Sequence, residues 1–121
     1  MEELKLYESE YRFMELVWEA QPVRSMDLAR LAAYELGWKK STSYTVLKKL
    51  AGRGFVKNEE AVVTALVQRE DVQRFESEAL VDRNFGGSLP AFLTAFLQDR
   101  KLTRREADEI RRMIEEAVED D

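Results

Sequence analysis

Apolar residues in the stretch EYRFMELVWEA recur three and four positions apart, at Phe13, Leu16, Val17 and Ala20. That spacing predicts an amphipathic helix, with Ser9 as its N-cap and Gln21-Pro22 as its stop. Residues 1–8 read as frayed, and Trp18 reads as a packing residue rather than a ligand platform. Pro22-Val23-Arg24 is a short extended piece. Ser25 is expected to cap a second helix, with Asp27 in its first turn and Leu28, Leu31, Ala32 and Leu36 on one face. Gly37 suits the position just past its end, where a left-handed residue closes the last turn. A third helix is expected from Ser41, with Val46, Leu47, Leu50 and Gly54 as its inward stripe and Gly52-Arg53-Gly54 as its end. The pattern then switches to strands: Phe55-Val56-Lys57 and Ala61 to Val67, around a turn at Asn58-Glu59-Glu60.

From Glu70 the spacing is helical again. Val72, Phe75 and Ala79 share a face across EDVQRFESEALVDRNF, ended by Gly86-Gly87. Ser88 caps a helix that tolerates Pro90 in its first turn and carries Leu89, Phe92, Leu93, Phe96 and Leu97 on one side. Thr103 and Glu106 have the spacing of a capping box for a last helix bearing Ala107, Ile110, Met113, Ile114, Ala117 and Val118. Three short amphipathic helices bury little apolar surface by themselves, whereas two copies packed together bury much more. Phe75, Ala79, Phe85, Leu89, Phe92, Leu93, Phe96, Leu97, Ile110 and Ile114 are therefore expected to form a homodimer contact. The Phe92/Phe96 stripe reads as its core rather than as a ligand pocket.

The expected fold is mainly α with a small β wing. A winged helix-turn-helix over residues 1–69 binds DNA, and a three-helix region over residues 70–121 dimerises. No apolar run approaches membrane-spanning length, and the acidic MEELKLYESE is unlike a signal peptide, so the chain reads as soluble and cytoplasmic. With zero Cys and zero His, thiolate chemistry and the commonest general base are excluded. No paired-acid constellation stands out either. The chain reads as a non-enzyme with no catalytic residue, metal site, cofactor or small-molecule ligand.

Charge sharpens this picture. The net charge of −5 divides into +1 for residues 1–69 and −6 for residues 70–121. Between Gly37 and Lys57 there are six basic residues (Lys39, Lys40, Lys48, Lys49, Arg53 and Lys57) and no acid. Opposite the inward stripe of the third helix lie Ser41, Tyr44, Thr45 and Lys48, flanked by Thr42 and Lys49. Short hydroxyls let a helix approach base edges while lysines at its margin reach phosphates. Double-stranded DNA is the partner these residues suit best. The same helix also suits a protein-interaction module or corepressor that never reads DNA, and the acidic Glu59-Glu60 wing tip fits that alternative. A small-molecule sensor has no distinctive residues behind it.

Three stretches resemble the bacterial penicillinase-repressor family, which includes the methicillin-resistance and copper-transport repressors. They are YRFMELVWEAQPVRSMDLA, TSYTVLKKLAGRGFV and VDRNFGGSLPAFLTAFLQDRKLTRREADEIRRMI, with the Phe-Gly-Gly-Ser element at 85–88 the most specific part. The resemblance implies a dimeric winged-helix repressor at palindromic operators. By position, it puts DNA contacts at Thr42, Ser43, Tyr44, Thr45, Lys48 and Lys49. It also implies a membrane sensor metalloprotease as a partner, with cleavage at Ala95-Phe96. Members known to be cut often carry Asn before that Phe, where this chain has Ala95. The copper-responsive branch carries a C-terminal cysteine motif that this chain lacks.

Overall fold

Phe13, Met14 and Val17 lie along one side of α1 (Glu8–Ala20) and are fully buried. In the computed structural model, which describes residues 4–119, they share one core with Leu28 and Ala32 of α2 (Ser25–Leu36) and with Leu47 and Leu50 of α3 (Lys40–Gly52). Phe55, Val56 of β2 (Val56–Glu59), Val63 of β3 (Val62–Ala65) and Val72 of α4 (Arg69–Phe85) complete it. Burying side chains of this size contributes about 1.5–3 kcal/mol each, so this core dominates the stability of the front of the chain. The Trp18 indole N–H donates to the Val67 carbonyl at 2.9 Å, and the Arg69 guanidinium lies 5.4 Å from the Trp18 ring centroid. Trp18 is thus a packing residue, and its indole also fixes the start of α4. The chain forms two compact units, one up to Leu80 and one from Val81.

The helices fall where the periodicity puts them, but several boundaries differ. The first helix starts at Glu8, with Tyr7 in the cap position, so Ser9 lies inside its first turn. The carboxylate of Glu10 accepts from the Tyr7 N–H at 2.9 Å. Leu6 is buried and Leu4 packs on the core, so Leu4 to Tyr7 are not frayed. Residues 1–3 of that stretch lie outside the described residues, as do Asp120 and Asp121. Ser25 is the first residue of α2 rather than its cap. Its side chain is buried and its N–H donates to Ala61 O at 2.8 Å, because Arg24 is held in a strand. Ser41 likewise lies within α3, which begins at Lys40. Gly37 does end α2, at φ 71°, a backbone conformation that glycine adopts without strain.

The extended piece before α2 is a strand. β1 (Val23–Arg24) pairs antiparallel with β3, which pairs with β2, so the order is β1-β3-β2. Its two residues are too few to give an alternating pattern in the sequence. Pairing of Glu59 with Val62 leaves Glu60-Ala61 as a two-residue turn with φ of 52° and 64°. This is one residue further along than the expected turn. Two positive φ angles match the right-handed twist of the flanking strands, which outweighs the local strain at non-glycine residues. The side-chain oxygen of Gln21 accepts from Ala65 N at 2.7 Å and finishes the third strand.

In the second unit, α5 (Leu89–Leu97) begins on Ser88, whose hydroxyl accepts from Ala91 N at 3.1 Å. The next helix, α6 (Arg104–Ala117), begins on Thr103, whose hydroxyl accepts from Glu106 N at 3.0 Å. Phe92 meets Phe85 edge-on at 5.5 Å and stacks with Phe96 at 5.7 Å. Neither α5 nor α6 contains a buried residue; Leu89 is 56% exposed, Phe96 48% and Ile114 50%.

Replacing Glu60-Ala61 by Asn-Gly should relieve the turn and raise unfolding free energy by about 1 kcal/mol. Urea denaturation measures this. A lowered midpoint would show that the turn's side chains matter more than its backbone.

Candidate nucleic-acid interface

Ser43, Leu47 and Leu50 are the buried residues of α3, and they fix how the helix is rotated on the core. Their spacing leaves Ser41, Thr42, Thr45, Lys48 and Lys49 exposed, while Tyr44 and Val46 are half-buried. The turn that delivers the helix is held by Trp38. Its ring stacks on Phe13 at 5.4 Å with the planes 6° apart, and its N–H donates to Ala32 O at 3.3 Å. Lys39 and Lys40 follow, both exposed, at the positive end of the helix dipole. The Lys40 ammonium lies 6.0 Å from the Tyr44 ring, which itself packs partly on the core.

One residue in the expected contact set points the other way. Ser43 is only 2% exposed, and its hydroxyl has no hydrogen-bond partner among the described residues. Its position on the Leu47/Leu50 side turns it into the core, so its side chain is not available to DNA.

The basic residues are not equivalent. Among the described residues no carboxylate forms an ion pair with Lys39, Lys40 or Lys48. On the wing, Lys57 lies 3.5 Å from Glu59 and is partly neutralised beside the acidic tip. At the far end of α3, Lys49 and Arg53 each lie 3.4 Å from the Glu10 carboxylate. The sequence reading missed Glu10. The available signal was an acid on the apolar side of α1, in register with Phe13, Met14 and Val17, which must find a cation when buried. The Arg53 side chain also donates to the Lys5 carbonyl, so the segment before α1 is tied to the end of α3.

The residues assigned to dimer contact lie on three helices. Phe75 and Ala79 are half-buried on α4, and Phe85, Phe92 and Leu93 are half-buried further along. Leu89, Phe96, Leu97, Ile110 and Ile114 are exposed. The peptide bond between Ala95 and Phe96 lies inside α5. Among the described residues, no helix is long and apolar enough to cross a membrane.

Three helices, a β hairpin braced by a short third strand and a trailing set of helices define a winged helix-turn-helix protein of the kind that regulates transcription. The profile of the penicillinase repressor family matches residues 6–116, and the chain belongs to that family of DNA-binding transcriptional repressors. It is 20% identical over 116 residues to the penicillinase repressor of Bacillus licheniformis, an alignment covering 93% of this chain and 91% of that protein.

Ser43→Ala removes a buried hydroxyl that has no partner, and should leave stability unchanged or raise it by up to about 1 kcal/mol. A thermal melt reads this directly. A loss larger than about 1 kcal/mol would mean that the hydroxyl is hydrogen-bonded in solution.

Proposed function

We propose that the protein is a homodimeric cytoplasmic repressor, without catalytic activity, that occupies palindromic operators through α3. Residues 1–69 read the DNA and residues 70–121 pair the protomers. Ser41, Thr42 and Thr45 face base edges, with Tyr44 at their flank, and Lys39, Lys40 and Lys48 face phosphates. The observation that carries this reading is the exposed hydroxyl-and-lysine side of α3, acid-free along its length, opposite the buried Leu47 and Leu50. Lys57 contributes little, because Glu59 and Glu60 surround the same strand end. The apolar faces of α5 and α6 support pairing, since an isolated chain leaves Leu89, Phe96, Met113 and Ile114 in water. A symmetric pair also gives the two recognition helices that two half-sites require.

By the resemblance drawn from the sequence, release from DNA would follow cleavage between Ala95 and Phe96 by a sensor metalloprotease. A protease needs its target peptide extended, and this bond is helical, so α5 must open before it is cut.

Fluorescence anisotropy against the duplex upstream of the protein's own gene, beside a scrambled duplex, tests the DNA reading. Binding should prefer the native duplex at two protomers per site and weaken steeply with salt. Lys48→Ala should flatten the plot of log affinity against log salt by about 0.9 on both duplexes, whereas Thr45→Ala should change preference at particular base pairs. Equal binding to both duplexes by the parent protein would sink the operator reading in favour of a protein partner. For the pairing, sedimentation of the parent should give a dimer and Phe96→Asp a monomer. A parent that sediments as a monomer at micromolar concentration would overturn it.

A further inference from the structure

The Glu10 carboxylate sits where water scarcely reaches it: the residue is 4% exposed, yet it faces three donors. Tyr7 N–H lies at 2.9 Å, the Arg53 guanidinium at 3.4 Å and the Lys49 ammonium at 3.4 Å. The surroundings reinforce the arrangement. Arg53 also donates to the Lys5 carbonyl and stacks 4.8 Å from the Phe55 ring centroid, and Lys49 lies 5.8 Å from the ring of Tyr7. Arg53 is thereby fixed by three partners. Among the described residues Lys49 is held by the carboxylate and the ring alone, and its side chain remains 56% exposed.

Lys49 follows Lys48 on α3 and is likewise exposed, but the two differ in what opposes them. Among the described residues Lys48 has no acid partner, whereas Lys49 faces a carboxylate that has lost most of its hydration. A desolvated carboxylate gives up a cation at greater cost than an exposed one, because water cannot replace the lost partner. We infer that Glu10 is a positioning residue that withholds Lys49 from DNA phosphates, lowering the charge that α3 offers to any duplex irrespective of sequence. This rests on the DNA-binding reading above. Phosphate contacts raise affinity for every duplex equally, so withholding one lowers binding to all of them and leaves a larger share of the total binding free energy to the hydroxyl side of the helix.

Four proteins tested on the native and scrambled duplexes decide the matter: the parent, Glu10→Gln, Lys49→Ala and the double variant. Glu10→Gln should free Lys49 and steepen the salt slope by about 0.9 on both duplexes. Its ratio of affinities at ~50 and ~200 mM salt should then grow about 3.5-fold, with its preference for the native duplex unchanged. Lys49→Ala should leave the slope within 0.3 of the parent (~0.3, a third of one contact), in contrast to Lys48→Ala. The double variant should return to the parent slope. A Lys49→Ala slope flattened as much as that of Lys48→Ala would show Lys49 already on phosphate and overturn the inference. So would a Glu10→Gln slope equal to the parent's. If circular dichroism shows Glu10→Gln unfolded, the Lys48→Ala and Lys49→Ala comparison decides alone. A parent with no preference for the native duplex overturns the operator reading itself, and that outcome is visible without any variant.

Discussion

The contact of Leu47 and Leu50 with the core of α1 and α2 decides how everything else on α3 is used. A helix advances 100° per residue, so a shift of one position in the buried set would carry Thr45 and Lys48 away from the open side. The rigidity of the contact comes from both ends of the helix. Trp38 stacks on Phe13 before it begins, and Arg53 bridges to Glu10 and the Lys5 carbonyl after it ends. The wing adds a third constraint, because β1 ties the entry to α2 onto β3. Three independent attachments leave one rotation of α3 available, and with it one set of side chains facing outward.

Local rules account for most of the helical architecture. Gly37 ends α2 with a positive φ, Ser88 and Thr103 cap α5 and α6 through their hydroxyls, and the i, i+3/i+4 stripes mark the helices that exist. The exposed side of α3 was legible for the same reason, since Leu47 and Leu50 alone set the wheel. What escaped was set by partners distant in sequence. β1 is two residues long and is defined by Val63, some forty positions away. Ser25 and Ser41 look like caps, but the strand before the one and the Trp38 turn before the other move the helix starts. Leu4 and Leu6 give too short an apolar signal to separate a packed segment from a loose end. Glu10 and Arg53 are 43 positions apart, and nothing near either residue announces the pair. Ser43 belongs to both families of signal: its hydroxyl suits a base edge, and its place in the helix turns it inward.

Charge does two different jobs along this chain. The average is acidic, and the region from Val81 has no buried core residue among those described, so its charge keeps a highly exposed set of helices hydrated. The basic run from Lys39 to Lys57 is instead sorted by what stands opposite each cation. Among the described residues Lys39, Lys40 and Lys48 are open, Lys57 is balanced by Glu59, and Lys49 and Arg53 are drawn to Glu10. Counting basic residues in the sequence therefore overstates the field that reaches a ligand.

The absence of buried residues in α5 and α6 has a further meaning under the proposed pairing. If these helices complete their packing only against a second copy, assembly follows mass action and the competent species scales with the square of the free protomer. Near the dissociation constant, halving the amount of protein then removes more than half of the pairs. Synthesis and dilution by growth would reset such a switch more sharply than they change the protein level itself, with no change in α3.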